Sequence, residues 1–296
     1  MKSLIALLMT VITAVTAPAA QSENIPLREG SVIEAQKDLF DASSVPEYAG
    51  KPWVEINGNR PFFEAGIPAE SFLELGELDQ LGRATGSMAC IGKDLMPVGE
   101  RPGIDPEIKP TGWDQEHYDC IEDNDGFLYQ RCHVIGYQLC GDVETPENLY
   151  TGTTFINLYS QLEWENMVAS YVRQTGNHVL YRVTPVFHGD EMVCRGVLEE
   201  ALSIEDQGAG ICFCVFCYNV QPGITIDYST GYSYLESTEE NRMVKTYVLN
   251  TRSRKFHLEN CEAVLTISEK NKSVETEKTR DDLIAEGYKP CGMCRP

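Results

Sequence analysis

Four side chains with complementary chemistry follow one another in the middle of the chain. Arg131 and His133 end a strand-like run, and Asn157 and Glu165 follow in a segment with helical periodicity. His133 can accept a proton near neutral pH, and Arg131, on the same face of an extended strand, offers a fork of donors to a phosphate. Asn157 supplies a hard oxygen suited to Mg²⁺, and Glu165 supplies a carboxylate. Together they predict a one-metal phosphodiesterase.

The spacing of Asn157 and Glu165 limits what each can do for a metal ion. Eight residues in a regular α-helix cover about 12 Å along the axis and leave the two side chains roughly 80° apart. We therefore expect Asn157 to bind the ion directly and Glu165 to hold a metal-bound water. Taken singly, His133 could be a hydrogen-bonded core residue, and Asn157 and Glu165 could be solvated helix residues. The order and spacing of the whole set favour catalysis.

The N-terminus has the pattern of a signal peptide. Lys2 precedes the apolar run of residues 4–15, and small residues fill positions 17–20. The apolar run is too short to span a membrane, and no later stretch is long enough. A buried N-terminal helix is the alternative interpretation. We expect residues 1–20 to be removed and the protein to be secreted, without a membrane span.

Charge divides the chain unevenly. The formal net charge is −21, with +3 on residues 241–296 and −24 on residues 1–240. An acidic body counts against binding a polyanion, which normally requires Lys and Arg. A catalytic divalent cation, as the largest local charge, would offset this. We expect weak, salt-sensitive binding of nucleic acid without sequence preference.

The pattern of apolar and turn residues predicts an α+β protein built on an antiparallel sheet. Residues 21–45 form a leader, residues 236–244 a charged connector, and residues 245–296 a second, smaller unit. Within the body, strands are predicted at residues 53–57, 88–91, 127–135, 178–187, 192–198 and 211–220. Residues 71–81 have a short helical pattern, residues 99–126 predict a long loop, and residues 154–175 predict a helix that stops at Gly176.

The central motifs resemble one nuclease family. Gln130-Arg131-Cys132-His133 stands where that family has Asp-Arg-Gly-His, and Glu147-Asn148-Leu149, Asn157, Glu165-Asn166 and residues 176–185 match its following blocks. Over residues 46–235 the chain resembles the DNA/RNA non-specific endonucleases with a ββα-metal site, in their secreted streptodornase and DNA-entry group. The resemblance implies cleavage of DNA and RNA, with Mg²⁺ as the catalytic ion and Mn²⁺ able to substitute.

The same resemblance assigns roles to individual residues. It implies His133 as general base, Asn157 as the direct Mg²⁺ ligand and Glu165 as water-mediated support for the metal. Arg131 and Asn148 are implied helpers, and Arg83 is a weaker candidate for phosphate contact. The identity of any protein inhibitor cannot be read from the sequence.

Two departures from the family pattern leave alternatives open. Gln130 removes a charge, and Cys132 adds a side chain where the family has none. A catalytically inactive nucleic-acid-binding or surface-binding homologue is therefore the main alternative, and a small-molecule phosphodiesterase is a further one. A Cys132/His133 thiol dyad is disfavoured because neighbouring residues on a strand face apart.

The C-terminal unit contains a predicted metal site. His257, Cys261, Cys291 and Cys294 are the soft ligands that tetrahedral Zn²⁺ prefers, and four protein ligands indicate a structural role. Metal binding would help so small a unit to fold. The segment also resembles the Ada-type metal-binding modules that follow some secreted nucleases. A disulfide between Cys291 and either Cys294 or Cys261 is the alternative.

Overall fold

The computed structural model describes residues 40–63, 69–99, 103–141, 143–236, 243–294 and 296. The predicted signal peptide and most of the predicted leader lie outside this part of the chain. Within it, no helix has both the length and the apolar character needed to cross a bilayer.

A six-stranded antiparallel sheet is the largest element. Its strands are β1 (Trp53–Glu55), β2 (Phe72–Glu74), β3 (Ser87–Ile91), β6 (Val179–Val186), β7 (Gly196–Ser203) and β8 (Cys212–Tyr218). They lie in the order β1-β8-β7-β6-β3-β2. The central strands are buried on both faces, so side chains from both faces of the sheet contribute to the core.

A two-stranded sheet and a long helix pack beside this sheet. Strands β4 (Tyr129–His133) and β5 (Leu149–Thr153) are antiparallel, and the short helix α1 (Tyr137–Cys140) lies between them in the chain. The long helix comprises α2 (Thr154–Ile156), a π-helical segment (Asn157–Gln161) and α3 (Leu162–Thr175). The two paired strands and the long helix that follows β5 therefore form a ββα unit.

Local chemistry accounts for both ends of the long helix. The hydroxyl of Thr153 accepts a hydrogen bond from the Ile156 N–H at 3.1 Å and so caps the first turn. Gly176 has a φ of 76° and ends the helix in the left-handed conformation that glycine adopts without strain. Trp164, Val168 and Val172 pack against the large sheet. The helix is thereby fixed against the large sheet.

The C-terminal part forms its own sheet. Strands β9 (Ile224–Ile226) and β10 (Ser233–Leu235) pair as a hairpin. Beyond them, β11 (Tyr247–Asn250), β12 (Lys255–Leu258), β13 (Lys272–Glu275) and β14 (Lys289–Pro290) lie in the order β13-β11-β12-β14, with helix α4 (Arg280–Ala285) between β13 and β14 in the chain. A separate apolar cluster around Tyr247, Phe256 and Leu283 packs this sheet against α4.

The predicted fold class is confirmed, since antiparallel pairing dominates an α+β structure. The predicted helical pattern of residues 71–81 is wrong: β2 occupies part of it and pairs with β3. Strands β5, β9 and β10 and those of the C-terminal sheet were not predicted. The division of the chain at residues 236–244 stays a prediction, and residues 237–242 lie outside the described residues.

Candidate active site

An open cleft of about 580 Å³ lies between β4 and the long helix. Arg131 and His133 line it from β4, and Asn157 and Glu165 line it from the helix. These are the four side chains that the sequence singled out for chemistry. The ββα unit brings them together because β4 is packed against the face of the helix that carries Asn157 and Glu165.

Strand alternation sets the orientation of β4. Arg131 and His133, two residues apart, both reach the cleft, whereas Cys132 is fully buried in the main core. Gly152 on β5 leaves room for its sulfur, because a Cβ there would lie 2.3 Å from Cys132 Sγ. Burial also raises the pKa of the Cys132 thiol well above its usual value. Cys132 is therefore a core residue, and the structure does not support a thiol dyad.

The His133 imidazole is held by a carboxylate. Its Nε2 lies 3.0 Å from each oxygen of Glu144, and His133 is only 8% exposed. A carboxylate at Nε2 favours the tautomer with the proton on that nitrogen, which makes Nδ1 the basic atom of the neutral ring. The pair therefore orients an imidazole that can accept a proton.

The Asn157 amide is oriented by Gln130. Asn157 Nδ2 donates to Gln130 Oε1 at 2.9 Å, and Gln130 Nε2 donates to the Thr154 hydroxyl at 3.3 Å. Because its nitrogen is engaged by Gln130, the Asn157 amide can offer its carbonyl oxygen as a ligand. The residue that departs from the family pattern thus makes a defined contact at the site.

The π-helical segment changes the relation between Asn157 and Glu165. A π turn contains one more residue than an α turn, which reduces the predicted offset of roughly 80° to about 20°. Gln161, between them, donates to the His133 carbonyl at 2.8 Å and lies 3.4 Å from Glu165 Oε1. The regular α-helix assumed from the sequence is therefore wrong here, and Asn157, Gln161 and Glu165 share one face.

Glu165 is buried beneath the loop that follows β4. Only 8% of it is exposed, and a Cβ at Gly136 would lie 2.5 Å from both of its carboxylate oxygens. Any side chain at position 136 would therefore displace the carboxylate. Gly136 is thus required for the position of Glu165.

Arg131 is anchored by the long loop before β4. Its Nη1 donates to the Asp105 carbonyl at 3.0 Å, and its guanidinium carbon lies 5.6 Å from the centre of the Trp113 ring. Among the described residues, none accepts a hydrogen bond from its Nε or Nη2. The guanidinium is held at the cleft with donors still available for a phosphate.

Two predicted helpers lie elsewhere. Asn148 is fully buried, where its side chain bonds the Ile135 N–H at 2.8 Å and the carbonyls of Ile135 and Val143 at 3.1 and 3.0 Å. It therefore positions the loop after His133 and does not line the cleft. The Arg83 guanidinium bonds Asp79 and the carbonyls of Gly189 and Glu191, outside the cleft lining. The structure thus does not support direct contact between either side chain and substrate.

Three residues important to the site were not found from the sequence: Glu144, Gln161 and Gly136. Glu144 contacts His133 from the connection between β4 and β5, and no spacing rule predicts such a pair. Gln161 precedes Glu165 by four residues, a helical spacing that could have identified it. Gly136 is recognisable only once the position of the Glu165 carboxylate is known.

The C-terminal cluster is compact. Ligand atoms of His257, Cys261, Cys291 and Cys294 all lie within 4.8 Å of one another. Burial, with the charge of Lys255, lowers the pKa of His257 and so favours the neutral ring. All eleven cysteines are free thiols, so the disulfide alternative is wrong in this structure.

Residues 69–203 match the family model described as DNA/RNA non-specific endonuclease. The chain carries a DNA/RNA non-specific endonuclease domain. The endonuclease domain is a metal-dependent phosphodiester hydrolase, and its matched residues include all four of the cleft side chains described first.

Solved structures are similar to the endonuclease domain. One is the crystal structure of NucA from Streptococcus agalactiae with magnesium ion bound, at 27% identity and a TM-score of 0.56, covering 62% of this chain and 87% of that one. Another is NucA with no metal bound, at 26% identity and a TM-score of 0.56, covering 66% and 92%. No curated protein sequence matches the chain.

Proposed function

We propose that the protein is an exported, Mg²⁺-dependent endonuclease that hydrolyses DNA and RNA without sequence specificity. The observation that carries this proposal is the convergence of His133, Asn157, Glu165 and Arg131 on one cleft within the endonuclease domain. The predicted signal peptide supports export.

The donor set of the cleft suits a hard divalent cation. Asn157 would bind the ion through its carbonyl oxygen, and Glu165 would hold a water of the ion's hydration shell. Gln130 favours this arrangement because it engages the Asn157 nitrogen. When bound, such an ion supplies Lewis acidity at the phosphate and stabilises the leaving oxygen.

Two side chains of the protein accept the proton of the attacking water and stabilise the charge on the phosphate. His133, with its Nε2 proton directed at Glu144, accepts a proton from the attacking water at Nδ1. The water oxygen forms a new bond to phosphorus as the bond to the ester oxygen breaks, and that oxygen takes up a proton from solvent. Arg131 donates hydrogen bonds to the charged phosphate oxygens and orients the diester.

The C-terminal cluster is proposed as a structural Zn²⁺ site. Three sulfurs and an imidazole nitrogen are the ligands that tetrahedral Zn²⁺ prefers, and their close approach matches one shared ion. Val248, Val264 and Ile267 pack around Cys261 and Cys291, which keeps the site dry. Four protein ligands leave no coordination position for a substrate.

Plasmid degradation tests the catalytic proposal. The wild type should degrade plasmid with Mg²⁺ or Mn²⁺ and stop in EDTA, and His133→Ala should reduce the rate at least about 100-fold. His188→Ala, at an exposed histidine outside the cleft, is the matched control and should retain activity. Cleavage by His133→Ala at the wild-type rate would reject His133 as the base.

The alternatives give different outcomes in the same assay. A folded wild type that binds plasmid but never cleaves it with Mg²⁺ would favour the inactive homologue. Hydrolysis of a model diester without degradation of any polymer would favour a small-molecule phosphodiesterase.

A further inference from the structure

The C-terminal sheet carries a row of lysines on one face. Asn250 pairs with Lys272 on one side and with Lys255 on the other, and Lys255 pairs with Lys289. Directly paired residues project to the same face of a sheet, so the row Lys272, Asn250, Lys255, Lys289 crosses all four strands. With strands about 4.8 Å apart, the row is roughly 14 Å long.

Further cations lie beside this row. Arg252 and Arg254 lie in the exposed turn between β11 and β12, and Lys270 is exposed just before β13. The Thr251 N–H donates to the Asn271 carbonyl at 2.9 Å and keeps the two segments together. We call these six residues, Arg252, Arg254, Lys255, Lys270, Lys272 and Lys289, the basic edge.

Much of the basic edge is not neutralised. Lys272 pairs with Glu269 at 3.2 Å and Lys289 with Asp227 at 3.1 Å. Among the described residues, Arg252, Lys255 and Lys270 have no carboxylate within ion-pair distance. This concentration of cations contrasts with a chain whose formal net charge is −21.

We propose that the basic edge binds the phosphodiester backbone of the nucleic-acid substrate, at a distance from the cleft. This inference rests on the proposed function. The row suits a polyanion because each strand of a duplex carries one phosphate per about 3.4 Å of helix axis, so that more than one phosphate lies within reach of a row of this length. Ammonium and guanidinium groups arranged in this way contact the backbone and carry no base information, as suits an endonuclease without sequence preference.

Packed elements connect the basic edge to the cleft. Lys289 bonds Asp227, and its ammonium lies 4.6 Å from the centre of the Tyr232 ring, in the segment that links β9 and β10. In the same segment, the Gly231 carbonyl accepts a hydrogen bond from the Tyr129 hydroxyl at 2.8 Å. Tyr129 begins β4 and lines the cleft. The basic edge is therefore held in a fixed relation to the catalytic strand, and a long polymer can contact both.

Binding by full-length protein tests the proposal directly. In a His133→Ala background, anisotropy of a labelled long duplex is measured without divalent metal across roughly 50 to 200 mM salt. Arg252→Glu with Lys270→Glu should weaken binding about tenfold and reduce the slope of log Kd against log salt by about 2. Lys51→Glu with Lys93→Glu, at exposed lysines outside the C-terminal sheet, is the matched control and should have a smaller effect. Lys255 is left unchanged because its charge acts on His257.

Cleavage assays on chains that retain His133 distinguish the contribution of the basic edge from that of the cleft. The Arg252→Glu/Lys270→Glu variant should lose about tenfold in kcat/KM on the long duplex and retain the wild-type value on a dinucleotide. Equal zinc content in all variants shows that the C-terminal fold is intact.

Other results would overturn the proposal. These are an unchanged affinity and salt slope, a control pair with an equal effect, or charge-dependent binding to anionic vesicles but not to duplex. The binding measurement stands even if the wild type proves inactive, so failure of this inference is distinct from failure of the proposed function.

Discussion

The Asn157 side-chain nitrogen donates to Gln130 Oε1 across 2.9 Å, which joins the proposed metal ligand to the residue that departs from the family motif. A glutamine oxygen can accept this bond as an aspartate oxygen would, but it brings no negative charge. Glu165 and Glu144 are thus the carboxylates that contribute charge near the site. The substitution therefore preserves orientation and reduces the attraction for a cation.

Replacing Gln130 should change how much metal the enzyme needs. Gln130→Leu removes the acceptor and should raise the Mg²⁺ concentration for half-maximal cleavage about tenfold, whereas Gln130→Asp should lower it. Calorimetric titration of Mn²⁺ into the protein checks the same order without turnover. Gln174→Leu, at an exposed position on α3, controls for loss of an amide. Equal metal requirements in all variants would contradict the orienting role.

Glu144 should be needed for the function of His133. Glu144→Ala removes the partner of Nε2, and kcat should fall about 100-fold because the ring loses its preferred tautomer and orientation. Glu144→Gln retains an acceptor for the Nε2 proton and should recover part of the rate. Glu147→Ala, in the same connection, serves as the comparison. If kcat of Glu144→Ala matched that of Glu147→Ala, the pair would have no positioning role.

Gly136→Ala should impair catalysis through a single added methyl group. The new Cβ would meet both Glu165 oxygens at 2.5 Å and displace the carboxylate. We expect at least about a tenfold loss of kcat/KM, with a circular dichroism spectrum like that of the wild type. Gly103→Ala is a suitable control, because nothing lies within 4 Å of a Cβ there. Full activity of Gly136→Ala would show that the position of Glu165 is not critical.

Metal removal should affect the C-terminal sheet more than the endonuclease domain. Cys294→Ser removes one ligand of the cluster, while the core around α3 includes, among the residues that the structure describes, none beyond Cys217. We expect the zinc content to fall from one ion per chain towards zero. Limited proteolysis should then cut selectively within residues 245–296. Cys120→Ser, at an exposed thiol outside the cluster, should do neither. Wild-type zinc content in Cys294→Ser would reject the proposed ligand set.

Stability should depend on the ionisation of Glu199. Burial, followed by the charge of Glu165, raises the pKa of Glu199 well above its usual 4.5. Its stabilising contribution is therefore complete below pH 4.5 and declines, by roughly 1.4 kcal/mol per pH unit, as the pH rises towards the folded-state value. Glu199→Gln should remove this decline, whereas exposed Glu74→Gln should not. The free energy of unfolding should be measured by denaturant titration in EDTA between about pH 5 and 8, the range in which most proteins are most stable.

The sequence predicted those helices and strands in which apolar residues recur with a clear period. The helix at residues 154–175 and the strands around β6 and β8 follow from apolar spacing. Strand β2, three residues long, was taken for helix because so short an alternation is ambiguous. The π-helical segment leaves no signature in residue type, so the angular relation of Asn157 and Glu165 could not be predicted.

The side chains that line the cleft were easier to propose from the sequence than the residues that position them. Arg131, His133, Asn157 and Glu165 could be proposed together because their motifs follow one another in the order of a ββα unit, and all four line one cleft. Asn148 and Arg83 lie outside the cleft, because their side chains form hydrogen bonds with backbone groups of nearby loops. Partners such as Glu144 depend on the three-dimensional path of a loop, about which local sequence carries little information.

The burial of the sulfur atoms has a consequence for how the protein responds to oxidants. Burial keeps Cys132 and Cys194 protonated, the latter with a pKa of about 12, and protonated thiols react slowly with oxidants. The buried thiols of the main core are therefore protected from oxidants, a protection that the exposed thiol of Cys120 does not share. The thiols around His257 must stay reduced to hold an ion, so their oxidation should release the ion and loosen the C-terminal sheet before the buried thiols of the main core react.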